Sequence, residues 1–129
     1  MLFYELFRLD SEFLSVKSGD CLFRAGEAGE VMYVLISGEA EVTISGVLFE
    51  KCTQGALLGE ISVIEGSRRY ATVTARTDCN FAVIDAKRFQ YLVDETPGFA
   101  INVMRLMAKR LKECDLRVVQ ACSDKCAQP

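Results

Sequence analysis

Residues 57–73 read LLGEISVIEGSRRYATV, and this stretch places a carboxylate inside an apolar run. Leucine, isoleucine and valine flank Glu60 on both sides, so we expect at least half of its surface to be buried. A buried carboxylate is costly unless hydrogen-bond donors or a cation accompany it. Arg68 and Arg69 follow closely and supply the cations of the stretch. Two hypotheses stay open: an internal ion pair of Glu60 with one arginine, or a site in which both charges face a ligand.

The ligand hypothesis has a defined chemistry. A carboxylate accepts hydrogen bonds from sugar hydroxyls, and a guanidinium binds a phosphate through two parallel hydrogen bonds. A short helix starting at Gly59 would add free N–H groups that face an anion. The stretch contains neither a P-loop lysine nor a GxGxxG spacing. These residues therefore predict a small phosphate ester that carries a hydroxylated sugar.

Short apolar segments separated by glycine turns surround this stretch between residues 13 and 84. VMYVLIS (31–37) is a compact β-branched run, and EAEVTIS (39–45) alternates apolar and polar side chains, as a half-buried strand does. Many short strands at this spacing predict an antiparallel sandwich, barrel or jelly roll. No repeat or low-complexity linker divides the chain, so we predict a single domain over residues 1–129.

The segments that flank the strands have helical patterns. A short amphipathic helix is predicted at 1–10, and Asp85 is the expected N-cap of a helix at about 86–95. A proline separates that helix from a longer one at about 97–119. The last residues, 120–129, are expected to be a frayed tail.

The predicted 97–119 helix carries an apolar stripe whose members recur at alternating steps of four and three, the spacing of a helix–helix seam. At the rise of an α-helix the stripe is roughly 27 Å long. One small barrel covers such a stripe with difficulty, so we predict a homodimer; the alternative is that the chain's own core covers it. The predicted interface residues are Ala100, Met104, Met107, Leu111, Cys114 and Val118.

The 129 residues include 15 basic and 18 acidic side chains, for a formal net charge of -3. This balance argues against a chain that mainly neutralises phosphate backbones. Histidine is absent, which removes the usual neutral-pH general base, the Ser–His and Cys–His nucleophile pairs and every histidine metal ligand. We therefore expect a protein that is not an enzyme, with no catalytic residue, no metal and no cofactor.

The six cysteines form no CxxC pair, and four of them are scattered among apolar residues, which is typical of a reduced intracellular protein. Cys122 and Cys126 leave open a redox pair or part of a metal site. The first residues lack a continuous apolar segment, and no spanning helix is visible. The expected location is cytoplasmic, without membrane contact.

Residues 59–73 closely resemble the phosphate-binding cassette of the cyclic nucleotide-binding domains, the family of the bacterial catabolite activator protein and of the regulatory subunit of cyclic-AMP-dependent protein kinase. The family pattern is Gly-Glu, then apolar and small residues, a glycine-containing tip, and then Arg, a small residue, Ala and Thr. LFRAGEAGEVMYVLISGEAEV (22–42) is similar to the family's glycine-punctuated strand pair. FAVIDAKRFQYLV (81–93) and PGFAINVMRLMAKRL (97–111) are similar to its closing helices. The resemblance spans nearly the whole chain.

The resemblance implies a β jelly roll, a cupin-like double-stranded β-helix, flanked by helices. It implies that Glu60 binds the ribose 2'-hydroxyl of cAMP or cGMP and that Arg69 pairs with the cyclic phosphate. Backbone groups complete the cradle, and the long terminal helix closes over the base and forms the interface in dimeric relatives. The ligand-binding residues implied are Leu58, Gly59, Glu60, Ile61, Ser62, Arg68, Arg69, Tyr70 and Ala71.

The chain departs from the family pattern at three positions. Leu58 stands where an aromatic residue is common, and Arg68 stands where proline is frequent. Tyr70 stands beside the phosphate position, where the family usually has alanine or serine.

Three functions compete at this point. The resemblance implies a regulatory domain that senses a cyclic nucleotide and signals through its C-terminal helix to a dimer mate or an unknown effector protein, without binding DNA directly. The alternative is a ligand-free interaction module, in which Glu60 and Arg69 form an internal ion pair and Tyr70 fills the pocket. The third, an enzyme related to the cupins, lacks the histidine ligands that such enzymes use.

Overall fold

Two four-stranded antiparallel sheets form the body of the protein in its computed structural model, which describes residues 2–127 and the side chains of residues 3–123. In chain order the described elements are α1 (Leu2–Phe7), β1 (Leu14–Val16), β2 (Cys21–Phe23), β3 (Val31–Ser37), β4 (Ala40–Ile44), β5 (Val47–Cys52), β6 (Leu57–Leu58), α2 (Glu60–Glu65), β7 (Thr72–Ala75), β8 (Cys79–Asp85), α3 (Ala86–Glu95) and α4 (Pro97–Ala127).

The strand order within each sheet identifies the topology. One sheet has the order β1-β8-β3-β6, and the other has the order β2-β7-β4-β5. Strands far apart in the sequence are therefore neighbours: Val16 of β1 lies opposite Cys79 of β8, and Cys21 of β2 lies opposite Thr74 of β7. The chain passes back and forth between the two sheets, as a jelly roll requires. The predicted antiparallel β jelly roll with flanking helices is confirmed.

The alternation of side chains along the strands places the core between the sheets. In β7, Val73 and Ala75 are buried, while the threonines that alternate with them, Thr72 and Thr74, are only half-buried. Leu35 of β3 and Phe81 of β8 are fully buried and belong to the same apolar cluster. Burying one such side chain contributes about 1.5–3 kcal/mol, so the central strands supply much of the stability of the fold.

The helix that follows the last strand has the predicted bounds. α3 covers residues 86–95, and its N-cap is Asp85, whose Oδ1 accepts the N–H of Arg88 at 2.7 Å. Arg88 also donates to both carboxylate oxygens of Asp10, at 2.8 and 2.9 Å. Its guanidinium carbon lies 4.8 Å from the ring centre of Phe7. This arginine therefore ties the segment after α1 to the start of α3.

The terminal helices differ from the predicted bounds. α1 ends at Phe7, short of residue 10, because the chain turns there and the N–H of Asp10 donates to the Phe7 carbonyl at 3.1 Å. α4 continues to Ala127, so the predicted end at 119 and the frayed tail over 120–127 are wrong. Residues 99–127 contain no glycine or proline, and so nothing in the local sequence ends the helix earlier. Residues 1, 128 and 129 lie outside the described part.

The chain divides into two compact units, residues 1–91 and residues 92–129. The first unit contains both sheets, α1, α2 and the start of α3, and the second contains α4. That residues 1–129 form one domain stays a prediction. Among the described helices, none has the length and apolar character needed to cross a membrane.

The cysteines whose side chains are described are free thiols. Cys52 and Cys79 are each only 2 % exposed, whereas Cys122 is exposed on α4. The Cys79 thiol lies 3.2 Å from the carbonyls of Glu39 and Thr77, and burial raises its pKa above the ordinary value. Within residues 3–123 no group of acidic or cysteine side chains is arranged to hold a metal ion. The Cys122–Cys126 pairing falls partly outside the described side chains.

We expect alkylation to distinguish these thiols. At pH 8 in the folded protein, iodoacetamide should modify Cys122 rapidly and leave Cys79 largely unmodified, because the thiolate is the reactive form. A raised pKa lowers the thiolate fraction of Cys79 at a given pH, and burial blocks the reagent. Peptide mass spectrometry, with and without denaturant, measures both rates. Equal rates for Cys79 and Cys122 without denaturant would contradict this prediction.

Candidate functional site

A short helix between two left-handed glycines forms the frame of the candidate site. β6 ends at Leu58, and Gly59 then takes a φ of 80°, a conformation that side-chain-bearing residues rarely adopt. The chain continues into α2, which ends at Gly66 with a φ of 75°. The Gly66 N–H donates to the Ser62 carbonyl at 2.9 Å and closes the helix. This strand–helix–strand segment brings the chain back to β7 beside β2.

Arg69 lies inside this frame and is only 5 % exposed. Its Nη1 donates to the Gly59 carbonyl at 3.0 Å and to the Ser62 hydroxyl at 2.6 Å. Its Nη2 donates to the Val31 carbonyl at the start of β3. We refer to these three acceptors, the Val31 and Gly59 carbonyl oxygens and the Ser62 hydroxyl, as the Arg69 acceptor set. These hydrogen bonds fix the guanidinium between the start of α2 and the start of β3.

Two aromatic rings flank the same guanidinium. Its central carbon lies 4.2 Å from the ring centre of Phe23 and 5.8 Å from that of Tyr33, and the two rings stack with centres 6.1 Å apart. Burial lowers the pKa of Arg69, and the nearby Tyr33 acts in the opposite direction. Burial likewise raises the pKa of Tyr33, while the positive charge of Arg69 lowers it. The pKa of Tyr33 therefore depends on the position of the Arg69 charge.

The loop between β2 and β3 is bonded to the same segment. The main-chain N–H of Arg69 donates to the Glu27 carbonyl at 2.9 Å, and the main-chain carbonyl of Arg69 accepts from the Gly26 N–H at 2.7 Å. Arg68, which is exposed, reaches the Gly26 carbonyl through Nη1 at 3.0 Å. A Cβ at Gly29 would lie 2.3 Å from the Ser62 hydroxyl, so the loop packs directly on α2. Movement of Arg69 is thus coupled to this loop.

Glu60 is buried as predicted, with 2 % of its surface exposed. The hydrogen bonds of Arg69 go to the acceptor set and not to the Glu60 carboxylate. An internal ion pair between Glu60 and Arg69 stays a hypothesis of the ligand-free alternative. Main-chain carbonyls at Val31 and Gly59 accept hydrogen bonds from the guanidinium. The charge of Glu60 still raises the pKa of Arg69, as the weakest of several effects, the largest of which is burial.

The other residues implied by the resemblance fall into two groups. Leu58 and Ala71 are buried, and Ile61 is half-buried. Arg68 and Tyr70 are exposed, and Tyr70 keeps 52 % of its surface accessible. A side chain exposed to this extent does not fill an interior pocket, so the geometry gives no support to the idea that Tyr70 blocks the site.

Sequence reasoning missed four contributors to this site. Phe23, Tyr33, the Val31 carbonyl and the hydroxyl of Ser62 all contact Arg69, although only the backbone of Ser62 was expected to take part. The glycines in RAGEAGE (24–30) were the available signal, since glycine often marks a close approach of two backbones. Nothing local in the sequence shows which aromatic ring faces the arginine.

The predicted interface residues lie along α4, in the second unit. Met104, Leu111 and Val118 are exposed, with 57 %, 62 % and 62 % of their surfaces accessible. Ala100, Met107 and Cys114 are half-buried. The apolar stripe therefore retains accessible apolar surface, and whether a second copy covers it stays a prediction.

The fold and the cassette define a ligand-binding regulatory domain, and the comparisons with known proteins agree. The family model described as the cyclic nucleotide-binding domain matches residues 13–96. The chain therefore belongs to the cyclic nucleotide-binding domain family. This family is regulatory and not catalytic, although it occurs within enzymes such as the relative described next.

Two curated relatives illustrate how widely the domain is used. The chain is 27 % identical over 129 residues to the lysophospholipase NTE1 of Saccharomyces cerevisiae, and the match covers 86 % of this chain and 8 % of that protein. It is 31 % identical over 101 residues to the cAMP-activated global transcriptional regulator CRP of Salmonella typhimurium, covering 74 % of this chain and 48 % of that protein. The chain thus spans less than half the length of either relative.

Solved structures show the same fold. The catabolite activator protein of Thermus thermophilus matches with a TM-score of 0.78 and 25 % identity, over 94 % of this chain and 57 % of that one. A structure described as Sp-2Cl-cAMPS bound to PKAR CBD2 matches with a TM-score of 0.67 and 24 % identity, over 81 % of this chain and 71 % of that one.

Proposed function

We propose that this chain is a sensor domain that binds cAMP or cGMP through the predicted ligand-binding residues between 58 and 71 and passes the signal to another protein. The observation that carries this proposal is the buried guanidinium of Arg69, held between Gly59 and Ser62 at the N-terminal end of α2. A cation at that place, beside main-chain N–H groups, suits a phosphate monoanion. Membership of the family supports the same ligand class.

Each charged residue has a proposed role. Arg69 would pair with the cyclic phosphate, and Glu60 would accept a hydrogen bond from the ribose 2'-hydroxyl. Main-chain groups around Gly59, Ile61 and Ser62 would complete the cradle. Burial strengthens both charged contacts, because a low local dielectric raises the energy of each hydrogen bond. No metal or cofactor has a role in this binding.

The signal would leave through the C-terminal helix. Ligand binding would favour one position of α4, and that shift would alter the geometry of a homodimer or a surface for an effector protein. The chain matches only part of each curated relative, and the rest of those proteins has no counterpart in the match. The activity that the domain would control is therefore that of the effector protein. We propose neither direct DNA binding nor catalysis by residues 1–129.

Calorimetry tests the proposal. The folded protein should release or absorb heat with cAMP, with cGMP or with both, and 5'-AMP serves as the matched control because it has the same base and ribose but an open phosphate. Saturable binding of a cyclic nucleotide that 5'-AMP does not reproduce supports the sensor. Absence of binding with both cyclic nucleotides would refute it.

A second candidate function is a ligand-free interaction module. One observation favours it: the guanidinium donates to acceptors of its own chain and is almost fully buried. The same calorimetry separates the candidates, since an interaction module would show no nucleotide-dependent heat.

The dimer prediction has its own test. The wild-type protein should elute as a dimer, and Leu111→Glu should shift it to a monomer, because a charge in an apolar helix seam is strongly unfavourable. Light scattering coupled to size exclusion measures the mass. Lys109→Glu, at an exposed position of α4 outside the stripe, is the matched control and should remain dimeric. A monomeric wild type would show that the stripe is not a dimer seam.

A further inference from the structure

The hydroxyl of Ser62 lies at the centre of the contacts that hold Arg69. It accepts a hydrogen bond from Nη1 of Arg69 at 2.6 Å and lies 3.2 Å from the Gly59 carbonyl, to which it donates. Ser62 is only 3 % exposed, so bulk water does not compete for the hydroxyl. A hydrogen bond from a charged donor in such surroundings is roughly twice as strong as one between neutral groups.

The Arg69 acceptor set occupies three of the five N–H donors of the guanidinium, including both on Nη1. Both N–H groups of Nη1 are used, by Gly59 and by Ser62, and Nη2 donates to Val31. Nε is buried and has no hydrogen-bond partner within the described part of the chain. It lies against Gly29, where a Cβ would be 2.8 Å away. In this arrangement Nη1 has no N–H left for a phosphate, so a phosphate can pair with Nη1 only by displacing Gly59 or Ser62.

We propose that Ser62 is a positioning residue that holds Arg69 in a closed arrangement, and that a cyclic nucleotide binds by displacing the Ser62 hydroxyl from the guanidinium. This proposal rests on the proposed function of the site. When a binding-competent state is only partly populated, the apparent affinity falls in proportion to its population. Ser62 therefore lowers the affinity and sets the nucleotide concentration at which the sensor responds.

Displacement of the Arg69 guanidinium would also affect residues outside the cassette. Leaving the acceptor set frees the Val31 carbonyl at the start of β3, and the backbone of Arg69 is bonded to Glu27 and Gly26 in the preceding loop. Tyr33 loses the positive charge that lowers its pKa. Ligand binding thus changes the loop between β2 and β3, and the titration of Tyr33 reports the change.

Ser62→Ala provides the binding test. We expect cAMP or cGMP to bind the variant about tenfold more tightly, the fold-change that corresponds to removing one charged hydrogen bond from the closed state alone. Alanine keeps the main-chain N–H at this position, so a backbone contact to the ligand would survive. A residue that merely contacts the ligand would give the opposite result, weaker binding. Ser62→Cys, which keeps a weak acceptor of similar size, should fall between wild type and Ser62→Ala.

A second measurement needs no ligand. The Nε–H signal of Arg69 in a ¹⁵N NMR spectrum is assigned by its disappearance in Arg69→Ala. In Ser62→Ala the hydrogen exchange of this N–H should be several-fold faster, because the guanidinium leaves its buried position more often. Ser67→Ala makes the same substitution just after the end of α2, where the serine hydroxyl has no hydrogen bond with Arg69 among the described residues, and should leave the exchange unchanged.

The two measurements separate the proposals. If wild type binds a cyclic nucleotide and Ser62→Ala binds it equally or more weakly, Ser62 does not oppose binding, and the proposed function stands without it. If neither protein binds but exchange accelerates in Ser62→Ala, the closed arrangement held by Ser62 is supported and the sensor function fails. Unchanged exchange in both Ser62 variants, shown to be folded by thermal melting, would overturn the proposal.

Discussion

Replacing Arg69 with alanine is expected to weaken cyclic nucleotide binding roughly 30- to 150-fold, the effect of losing a charged hydrogen-bonded contact of about 2–3 kcal/mol. The guanidinium is the buried cation of the cassette, and main-chain N–H groups cannot replace its charge. Calorimetry with cAMP and cGMP measures the change. The loss should appear mainly as faster ligand dissociation, because the contact forms after the ligand has entered.

The control for this experiment is another arginine. Arg76 is exposed, pairs with Glu41 at 3.4 Å and lies beyond the end of β7, so Arg76→Ala should leave nucleotide affinity unchanged. Thermal melting of Arg69→Ala shows whether the empty acceptor set destabilises the fold. Wild-type affinity in Arg69→Ala would exclude Arg69 as the phosphate ligand, and with it the central role that we propose.

Gly29→Ala is expected to lower the free energy of unfolding by about 1–3 kcal/mol, the usual effect of overpacking a close contact. The added Cβ would lie 2.3 Å from the Ser62 hydroxyl, 2.7 Å from the Ser62 Cβ and 2.8 Å from Nε of Arg69. None of these atoms is the free end of a flexible side chain, since Ser62 is fixed on α2 and Arg69 is held by its acceptor set. The loop between β2 and β3 would have to move away from α2.

Urea denaturation at one fixed protein concentration measures this change, because dimerisation would make the midpoint depend on concentration. Gly98→Ala is the matched control: a Cβ there meets nothing within 4 Å, and the residue lies in the first turn of α4. Its effect should remain within about 0.5 kcal/mol. If Gly29→Ala were equally mild, the close packing of this loop on α2 would not be a rigid feature of the site.

Much of the architecture was predictable because it follows from local patterns. Alternation in EAEVTIS and the compact run VMYVLIS indicated β4 and β3, and Asp85 indicated the start of α3. The extent of α4 was missed because the polar residues after 119 suggest fraying, although the absence of glycine and proline allows the helix to continue to Ala127.

The site was predictable in part. Burial of Glu60 followed from its apolar neighbours, and the choice of Arg69 over Arg68 followed from the resemblance. The contacts of Arg69 did not follow, because its hydrogen-bond acceptor Val31 and the ring of Phe23 lie far from it in the sequence. They meet it only when the loop between β2 and β3 packs on the cassette. The half-exposed position of Tyr70 likewise depends on which side of the chain faces the interior.

By itself, then, the sequence determined the jelly roll, its flanking helices and the two charged residues of the cassette. These depend on side-chain periodicity and on residue types within short windows, which local physical chemistry governs. Only the tertiary structure decided that the guanidinium of Arg69 bonds to Val31, Gly59 and Ser62 and not to Glu60. The physical reason is that a buried cation takes the acceptors that packing brings within reach, and packing joins segments that the sequence keeps apart.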